Sequence, residues 1–334
     1  MDRRDACTIL QARSDRPLPV ATPVRQSGRA RLEELSALIV RHTAADGMHA
    51  CELPRVTLIR SSRPTLPMPA LYTPSLCLVT QGRKQAVLGG RLYDYDAARY
   101  LVVSVDLPVV GSVIEASMAA PYLCLQLHLD MGMLGELVLE RFPVDRAAPP
   151  PAGLGIHEVT PALVDACARL VALLDTPEDI AALGPLIERE ILYRLVTGPA
   201  AEMMRHIARS GGGLARVSRV ISWIKAHYAE PFTIEALAAH AGMSESSLHA
   251  HFKSATMMSP LQYRAQLRLQ EARRLMVAEG VEAAQAGFRV GYDSPSQFSR
   301  EYRRLFGAPP AMDASRLRAS GGEAGGIAGT RRTM

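Results

Sequence analysis

Hydrophobic positions along this chain follow two spacings, and the change from one to the other divides it. From Arg55 to Asp130 apolar residues come in short runs separated by Pro, Gly and Asp. Val56–Arg60, Leu76–Thr80, Gln85–Leu88, Tyr100–Val105, Val109–Glu115 and Tyr122–Leu129 have the length and composition of strands. The pair Gly89–Gly90, between Ala86-Val87-Leu88 and Leu92-Tyr93, predicts a hairpin turn. Strands at this spacing predict a sandwich or a small barrel. Helices are expected on either side in sequence. Arg31–Thr43 carries Leu32, Leu35, Leu38 and Ile39 at helical spacing. Met131–Arg141, a Pro/Ala/Gly loop at Pro143–Gly155, Pro161–Leu174 capped by Thr160, and Glu178–Val196 follow the strands. The last of these places Ile180, Leu183, Ile187, Ile191, Leu192 and Leu195 on one side. Such helices could cover the barrel or pair two subunits.

From Leu214 onward the helical spacing takes over, after a break at Gly211–Gly213. Val217, Val220, Ile221, Ile224 and Tyr228 form one stripe that ends before Pro231. Thr233 is an N-cap for a short helix with Ile234, Leu237, Ala238 and Ala241 inward. Gly242 supplies a turn, and Ser244 caps the next helix, whose Leu248 and Phe252 face the core. Leu261, Ala265, Leu269, Ala272 and Met276 trace one face of a long connecting helix.

The short-helix, glycine, capped-helix unit then recurs. Ala241-Gly242-Met243 matches Val290-Gly291-Tyr292, while Leu248, Phe252, Lys253 and Ser259-Pro260 match Phe298, Tyr302, Arg303 and Pro309-Pro310. Ser294 followed by Pro295 is a strong helix start. In each unit the second helix keeps one side apolar and leaves the other polar. Ser246, Ser247, His249 and Ala250 face outward in the first unit, and Ser296, Gln297, Ser299, Arg300 and Arg304 in the second. A helix fits the major groove, where Arg pairs with guanine and Gln with adenine. Two such helices on a stiff linker can enter successive grooves roughly 34 Å apart. Arg303 and Arg304 are better suited to phosphate or surface roles than to base reading, and His251 to packing.

Charge supports this division. Gly213–Arg318 holds 14 Lys/Arg against nine Asp/Glu, so this stretch carries the whole net charge of +5. A basic module beside a neutral one suits a phosphate-binding surface. The 334 residues allow two domains with cores of their own, and 48% hydrophobic with 21% charged content is that of a globular chain. No apolar stretch reaches membrane-spanning length, and Met1–Val24 carries Asp and Arg with no signal-peptide core. Five scattered cysteines (Cys7, Cys51, Cys77, Cys124, Cys167) read as reduced thiols of a cytoplasmic protein, without structural zinc. His128, Glu115 and Asp130 are isolated from one another, and no nucleophile elbow, zinc-protease motif or phosphate loop occurs. No catalytic residue, metal or cofactor is expected.

The residues that carry the repeat also carry a family likeness. Gly242, Leu248, Phe252-Lys253 and Ser259-Pro260-Leu261-Gln262-Tyr263 are followed by Leu269, Ala272-Arg273 and Leu275. Val290-Gly291-Tyr292, Ser294-Pro295-Ser296-Gln297-Phe298-Ser299-Arg300 and Phe306-Gly307-Ala308-Pro309-Pro310 complete the pattern. This stretch resembles the DNA-binding domain of the AraC/XylS family. Upstream, Leu71–Val79, Gln81-Gly82-Arg83-Lys84 and Tyr100–Pro108 resemble the cupin-like N-terminal domain of one branch of it. The resemblance implies an α+β two-domain chain with disordered tails at 1–30 and 319–334. A cupin-like β-barrel with accessory helices, for sensing or dimerisation, would occupy 31–210. Residues 214–318 would be an all-α domain of two helix-turn-helix units joined by a linker helix. It further implies a regulator of transcription, an activator, working on double-stranded DNA with RNA polymerase, answering a small-molecule effector. A homodimer would form through Pro161–Val196. DNA-facing positions would be Ser246, His249 and Ala250 in the first unit, and Ser296, Gln297, Ser299 and Arg300 in the second. Three residues depart from the family pattern. Ala250 stands where relatives carry a long polar or basic side chain, which predicts weak reading by the first unit. Met257 occupies a helix-end position where glycine is usual, which predicts strain. Gly287 sits where alanine is usual, at a cost of roughly 1 kcal/mol.

Overall fold

The computed structural model describes residues 26–141, 152–208 and 213–321. Most of the two expected tails, most of the Pro143–Gly155 loop and the expected break before Gly213 lie outside the described residues. The tails are shorter than expected at their inner ends, because 26–30 and 319–321 are helical. Helix α1 runs Gln26–Arg41, and an Arg29–Glu33 ion pair one turn apart (3.1 Å) supports its early start.

Ten strands follow: β1 (Gly47–Ala50), β2 (Val56–Ser61), β3 (Met68–Tyr72), β4 (Ser75–Gln81), β5 (Arg83–Leu88), β6 (Arg91–Asp96), β7 (Arg99–Val103), β8 (Leu107–Glu115), β9 (Tyr122–His128) and β10 (Leu154–Glu158). They make a sheet in the order β1-β2-β9-β4-β7-β10 and another in the order β3-β8-β5-β6, all pairs antiparallel. The expected barrel is thus a two-sheet sandwich, with hydrogen bonding not closed into a ring. The Gly89–Gly90 hairpin is present. Both glycines have positive φ (57° and 82°), as a tight two-residue turn demands, and Leu88 pairs with Arg91 across it.

Alternation decides what each sheet face buries. On β4 and β9 nearly every residue is enclosed, because both faces of the larger sheet are covered. Helix α1 lies on β2, β4 and β9 through Leu35, Leu38 and Ile39. Beyond the strands come α2 (Met131–Arg141), α3 (Pro161–Ala172), α4 (Ile180–Thr197) and α5 (Ala201–Ala208). The side chain of Thr160 caps α3 by accepting from the Leu163 amide at 3.3 Å. Helix α3 packs on α1, and α4 on α3. Arg55, in left-handed conformation (φ 62°) ahead of β2, ties the sheet to α4 by pairing with the buried Glu188, and lies 3.4 Å from Asp130.

The C-terminal third contains α6 (Gly213–His227), α7 (Ile234–Ala241), α8 (Glu245–Thr256), α9 (Pro260–Ala278), α10 (Ala283–Arg289), α11 (Pro295–Phe306) and α12 (Pro310–Gly321). Two apolar clusters divide it. One runs continuously from the sandwich through α6, α7 and α8 to Leu267, midway along α9. The other begins at Leu269 and ends at Ala314. Helix α9 therefore belongs to both, as a linker should. Its first expected core residue is a correction: Leu261 is 47% exposed, and Pro260 and Tyr263 fill the core there instead. A capping box between Ser259 and Gln262 starts the helix.

Candidate nucleic-acid interface

Each unit is assembled by short-range chemistry. In the first, the Thr233 hydroxyl accepts from the Ala236 amide (3.1 Å) and starts α7, whose Leu237, Ala238 and Ala241 are buried. Gly242 closes α7 in left-handed conformation (φ 63°), and the Ser244 hydroxyl then accepts from Ser247 (3.3 Å) to start α8. Leu248 and Phe252 are fully buried. In the second unit Gly291 turns at φ 90°, and the Ser294 hydroxyl accepts from Gln297 (3.4 Å) with Pro295 in the first turn. Phe298 and Tyr302 take the buried positions of Leu248 and Phe252. The duplicated pattern folds as a duplicated structure.

The polar faces emerge where the spacing places them. Ser246, His249 and Ala250 are exposed on α8, and Ser296, Gln297, Ser299 and Arg300 are exposed on α11. Two of the seven are already engaged. The Ser246 and Ser244 hydroxyls lie 3.3 Å apart, and the Gln297 amide donates to Glu301 (3.1 Å). Glu301 in turn accepts from the Tyr292 hydroxyl (2.8 Å), so Gln297 must leave this chain before it can meet a base. Arg300, Arg303 and Arg304 are exposed on α11, and their side chains make no ion pair or hydrogen bond among the described residues. On α8 the exposed cation is Lys253. His251 packs against Gly213, where a Cβ would stand 2.5 Å from its Nδ1.

Three departures from the family pattern have physical outcomes. Ala250 leaves an open, short patch on α8. Met257 does take the left-handed cap (φ 60°, ψ 15°), donating its amide to Lys253 (2.8 Å). It is held there by the β5–β6 hairpin: a Cβ on Gly89 would fall 2.5 Å from the Met257 Cβ. Gly287 is the correction. A Cβ there would stand 3.0 Å from the Phe298 ring, so glycine lets α10 approach α11 and its lower helix propensity is offset by packing.

The residues that hold the second unit rigid were not evident in the sequence. Arg273 on α9 grips Asp313 on α12 through two bonds (2.8 and 3.2 Å), and Asp313 is fully buried. The Tyr302 hydroxyl of α11 donates to the same carboxylate (2.9 Å), and burial together with Asp313 pushes that phenol far above its ordinary range. Arg264 and Arg268 on α9 cap the carbonyls that follow α6, reaching Glu230 (3.2 Å), Tyr228 (2.6 Å) and Ala229 (3.0 Å). Burial, then the neighbouring Arg264, pull the Arg268 guanidinium below its usual value.

The candidate enzyme residues have structural partners. His128 bonds Thr73 (3.1 Å) and burial lowers its pKa, Glu115 pairs with Arg83 (3.5 Å), and Asp130 caps α2 through Met133 (3.0 Å). Among the described residues no group of three or more His, Cys, Asp or Glu could hold a metal, and no helix is long and apolar enough to cross a membrane. The four described cysteines are free thiols. Of the helices expected to pair subunits, α3 is largely spent inside the chain, with seven buried residues. Helix α4 leaves Leu183 and Leu186 exposed (43% and 65%).

Comparison with known proteins agrees with this architecture. Residues 52–203 match the AraC-type transcriptional regulator N-terminus, and residues 237–314 match a helix-turn-helix domain. HTH-type transcriptional regulator ArgR of Pseudomonas aeruginosa is 28% identical over 149 residues, 45% of each chain. HTH-type transcriptional activator RhaS of Citrobacter koseri is 28% identical over 144 residues, 42% of this chain and 51% of RhaS. The matched stretch thus spans about half the length of these curated relatives. In fold, the chain is similar to ToxT from Vibrio cholerae (TM-score 0.51, 9% identity, covering 78% of this chain and 98% of ToxT). Two matched models in order along one chain, the second lying over a repeat with both turns and both caps in place, make the assignment: the chain belongs to the AraC/XylS family of transcriptional regulators.

Proposed function

We propose that this protein is a sequence-specific DNA-binding regulator of transcription, with α8 and α11 entering successive major grooves of one duplex. One observation carries the reading. Helix α11 is capped, anchored by Phe298 and Tyr302, and presents Ser296, Gln297, Ser299 and an unpaired Arg300 to solvent. Arg300 would pair with a guanine edge, Gln297 with adenine once released from Glu301, and Arg303 and Arg304 with phosphates. Ser246, His249 and Ala250 would form the DNA side of α8, where the missing long side chain at Ala250 leaves fewer base contacts. A selection of duplexes from random oligonucleotides by the full chain tests this. A recurring sequence, bound with a steep loss of affinity as salt rises, is the expected result. Retention of every duplex alike would refute it.

The sandwich would act as the sensor that modulates this reader in response to a small molecule. A homodimer would form through the outer side of α4, where Leu183 and Leu186 are exposed. Activation in the cytoplasm, with RNA polymerase as partner, is proposed from the likeness to RhaS, which is named an activator. Replacing Leu186 with Glu should then lower the sedimentation coefficient from that of a dimer to that of a monomer.

A further inference from the structure

Three polar residues of the second unit form a chain that the first unit lacks. Glu301 lies one turn beyond Gln297 on α11, half-buried, and both of its carboxylate oxygens are engaged. One accepts from Gln297 Nε2 at 3.1 Å, and the other from the Tyr292 hydroxyl at 2.8 Å. Tyr292, in the turn before α11, is 5% exposed. Its ring centre lies 5.4 Å from that of Phe298 and 5.7 Å from the guanidinium carbon of Arg268. The carboxylate is thus fastened from behind to a ring that the core holds still. Neither Arg300 nor Arg304, its neighbours on the helix, pairs with it among the described residues.

The repeat shows that the helix-turn-helix frame does not need this chain. By the offset of the two copies, Tyr292, Gln297 and Glu301 correspond to Met243, Ser247 and His251. Met243 has no hydroxyl to donate, and His251 packs against Gly213 instead. Yet the first unit has the same turn, the same cap and the same buried pair of side chains.

The bond to Glu301 decides how Gln297 is presented. A carboxylate only accepts, so the amide turns its Nε2 to Glu301 and its oxygen away. Adenine is read by both ends of an amide at once, the oxygen accepting from N6 and the nitrogen donating to N7. With Nε2 drawn along the helix, that two-bond contact requires the Glu301 bond to break. The bond is charge-assisted and its acceptor is anchored, so breaking it offsets much of what adenine would contribute. Arg300 carries no such tether.

Resting on the reading of α11 as a base reader, we propose that Glu301 is a positioning residue that sets specificity by withholding Gln297 from adenine. The base pair under Gln297 is then weakly specified, and Arg300 dominates what α11 selects. Operators that differ at that one base pair are bound nearly alike.

Selections from random duplexes by the full chain and by Glu301→Ala, followed by binding curves at one fixed salt concentration, test this. For the unaltered protein, changing the base pair under Gln297 should alter affinity by no more than about threefold, against about tenfold or more for a free amide. In Glu301→Ala the same position should become adenine, at that higher preference. Adding Gln297→Ala should abolish the gain, while the guanine proposed for Arg300 keeps its discrimination throughout. Tyr292→Phe keeps the ring packing and frees only the carboxylate, so it should give a smaller gain in the same direction even where Glu301→Ala folds poorly. Equal adenine preference with and without Glu301, or a change in affinity that is the same on every duplex, would overturn the proposal and leave Glu301 a helix-stabilising charge. If the unaltered chain selects no sequence, the regulator reading falls and takes this one with it. A selected sequence that Glu301→Ala and Tyr292→Phe both leave unchanged sinks this proposal alone.

Discussion

The two helix-turn-helix units are copies in sequence and opposites in how they are held. The first shares its core with the sandwich and is fastened to it at several points. Lys225 of α6 pairs with Asp106 in the turn before β8, the Tyr263 hydroxyl donates to the Asp106 carbonyl (2.8 Å), and the Gly153 amide donates to the Ala255 carbonyl at the end of α8 (2.8 Å). The second unit has a core of its own and a buried ion pair of its own, and it is joined to the rest chiefly through α9. Their outer faces differ in the same sense. Helix α11 offers Arg300, Arg303 and Arg304 where α8 offers Lys253. One motif is thus the attachment to the sandwich, and on the proposed function the other would be the stronger reader, a division that the repeat itself does not announce.

The largest effect should come from the lock of the second unit. Asp313→Ala leaves Arg273 and the Tyr302 hydroxyl without their shared acceptor, and the loss should be about 3–5 kcal/mol in denaturant unfolding. Amide exchange should quicken in α10, α11 and α12 while α7 and α8 keep their protection. If both units lose protection together, they are one cooperative body and are held alike.

The two turn glycines make a paired test of next size. Both have positive φ, but a Cβ on Gly242 meets nothing within 4 Å, whereas on Gly291 it would stand 2.3 Å from the Ala229 carbonyl oxygen and 2.7 Å from Arg268 Nη2. Gly242→Ala should cost about 1 kcal/mol, the strain of left-handed backbone alone. Gly291→Ala should cost about 3 kcal/mol, because strain and a backbone collision add. Equal costs, measured by urea unfolding, would mean that the second turn relaxes freely.

Reading comes next. Arg300→Ala should weaken binding to the selected duplex by about 1–3 kcal/mol and relax discrimination at one base pair. His249→Ala on α8 should cost less than that, in keeping with the sparse outer face of the first unit. Equal loss for Arg300→Ala on selected and random duplexes would make Arg300 a phosphate contact.

What was legible in the sequence follows from where each signal originates. Caps and turns are local, so Thr160, Thr233, Gly242, Ser244, Ser294 and the Gly89–Gly90 hairpin could be placed correctly from spacing alone. Interior strands also announce themselves, since both of their faces are buried and their residues run apolar. The strands missed or only glimpsed, β1, β3, β6 and β10, are the four sheet edges. Edge position frees them from the apolar pattern of an interior strand: all five residues of β3 are half-exposed, and Pro69 within it reads as a break. That the seven proposed positions are exposed was legible, because helical spacing decides which side of α8 and α11 stays wet. Asp313 was not, since an acidic residue in the first turn of a helix usually sits in solvent beside the helix dipole. Only the meeting of α9, α11 and α12 buries it. Gly287 misled for the same reason: propensity is a property of one helix, and the ring of Phe298 comes from the next.

The smallest expected effect tests the attachment of the first unit. The Lys225–Asp106 pair is partly open to water, with 37% and 16% of the two side chains exposed, so Lys225→Met should lower global stability by no more than about 1 kcal/mol. The Asp106 carbonyl would still receive the Tyr263 hydroxyl, and the Gly153 bond to Ala255 does not involve Lys225. Detachment should therefore be partial and local. Amide exchange should rise in α6, α7 and α8 and in the turn around Asp106, with no change in α10 to α12. The single tryptophan, Trp223, lies on α6 between His227, stacked at 4.4 Å, and Phe232, edge-on at 5.3 Å, so its emission should report the same loosening. A response that spreads into the second unit would show that α9 transmits the sandwich's grip past Leu267, and that the boundary between the two cores does not insulate the second unit.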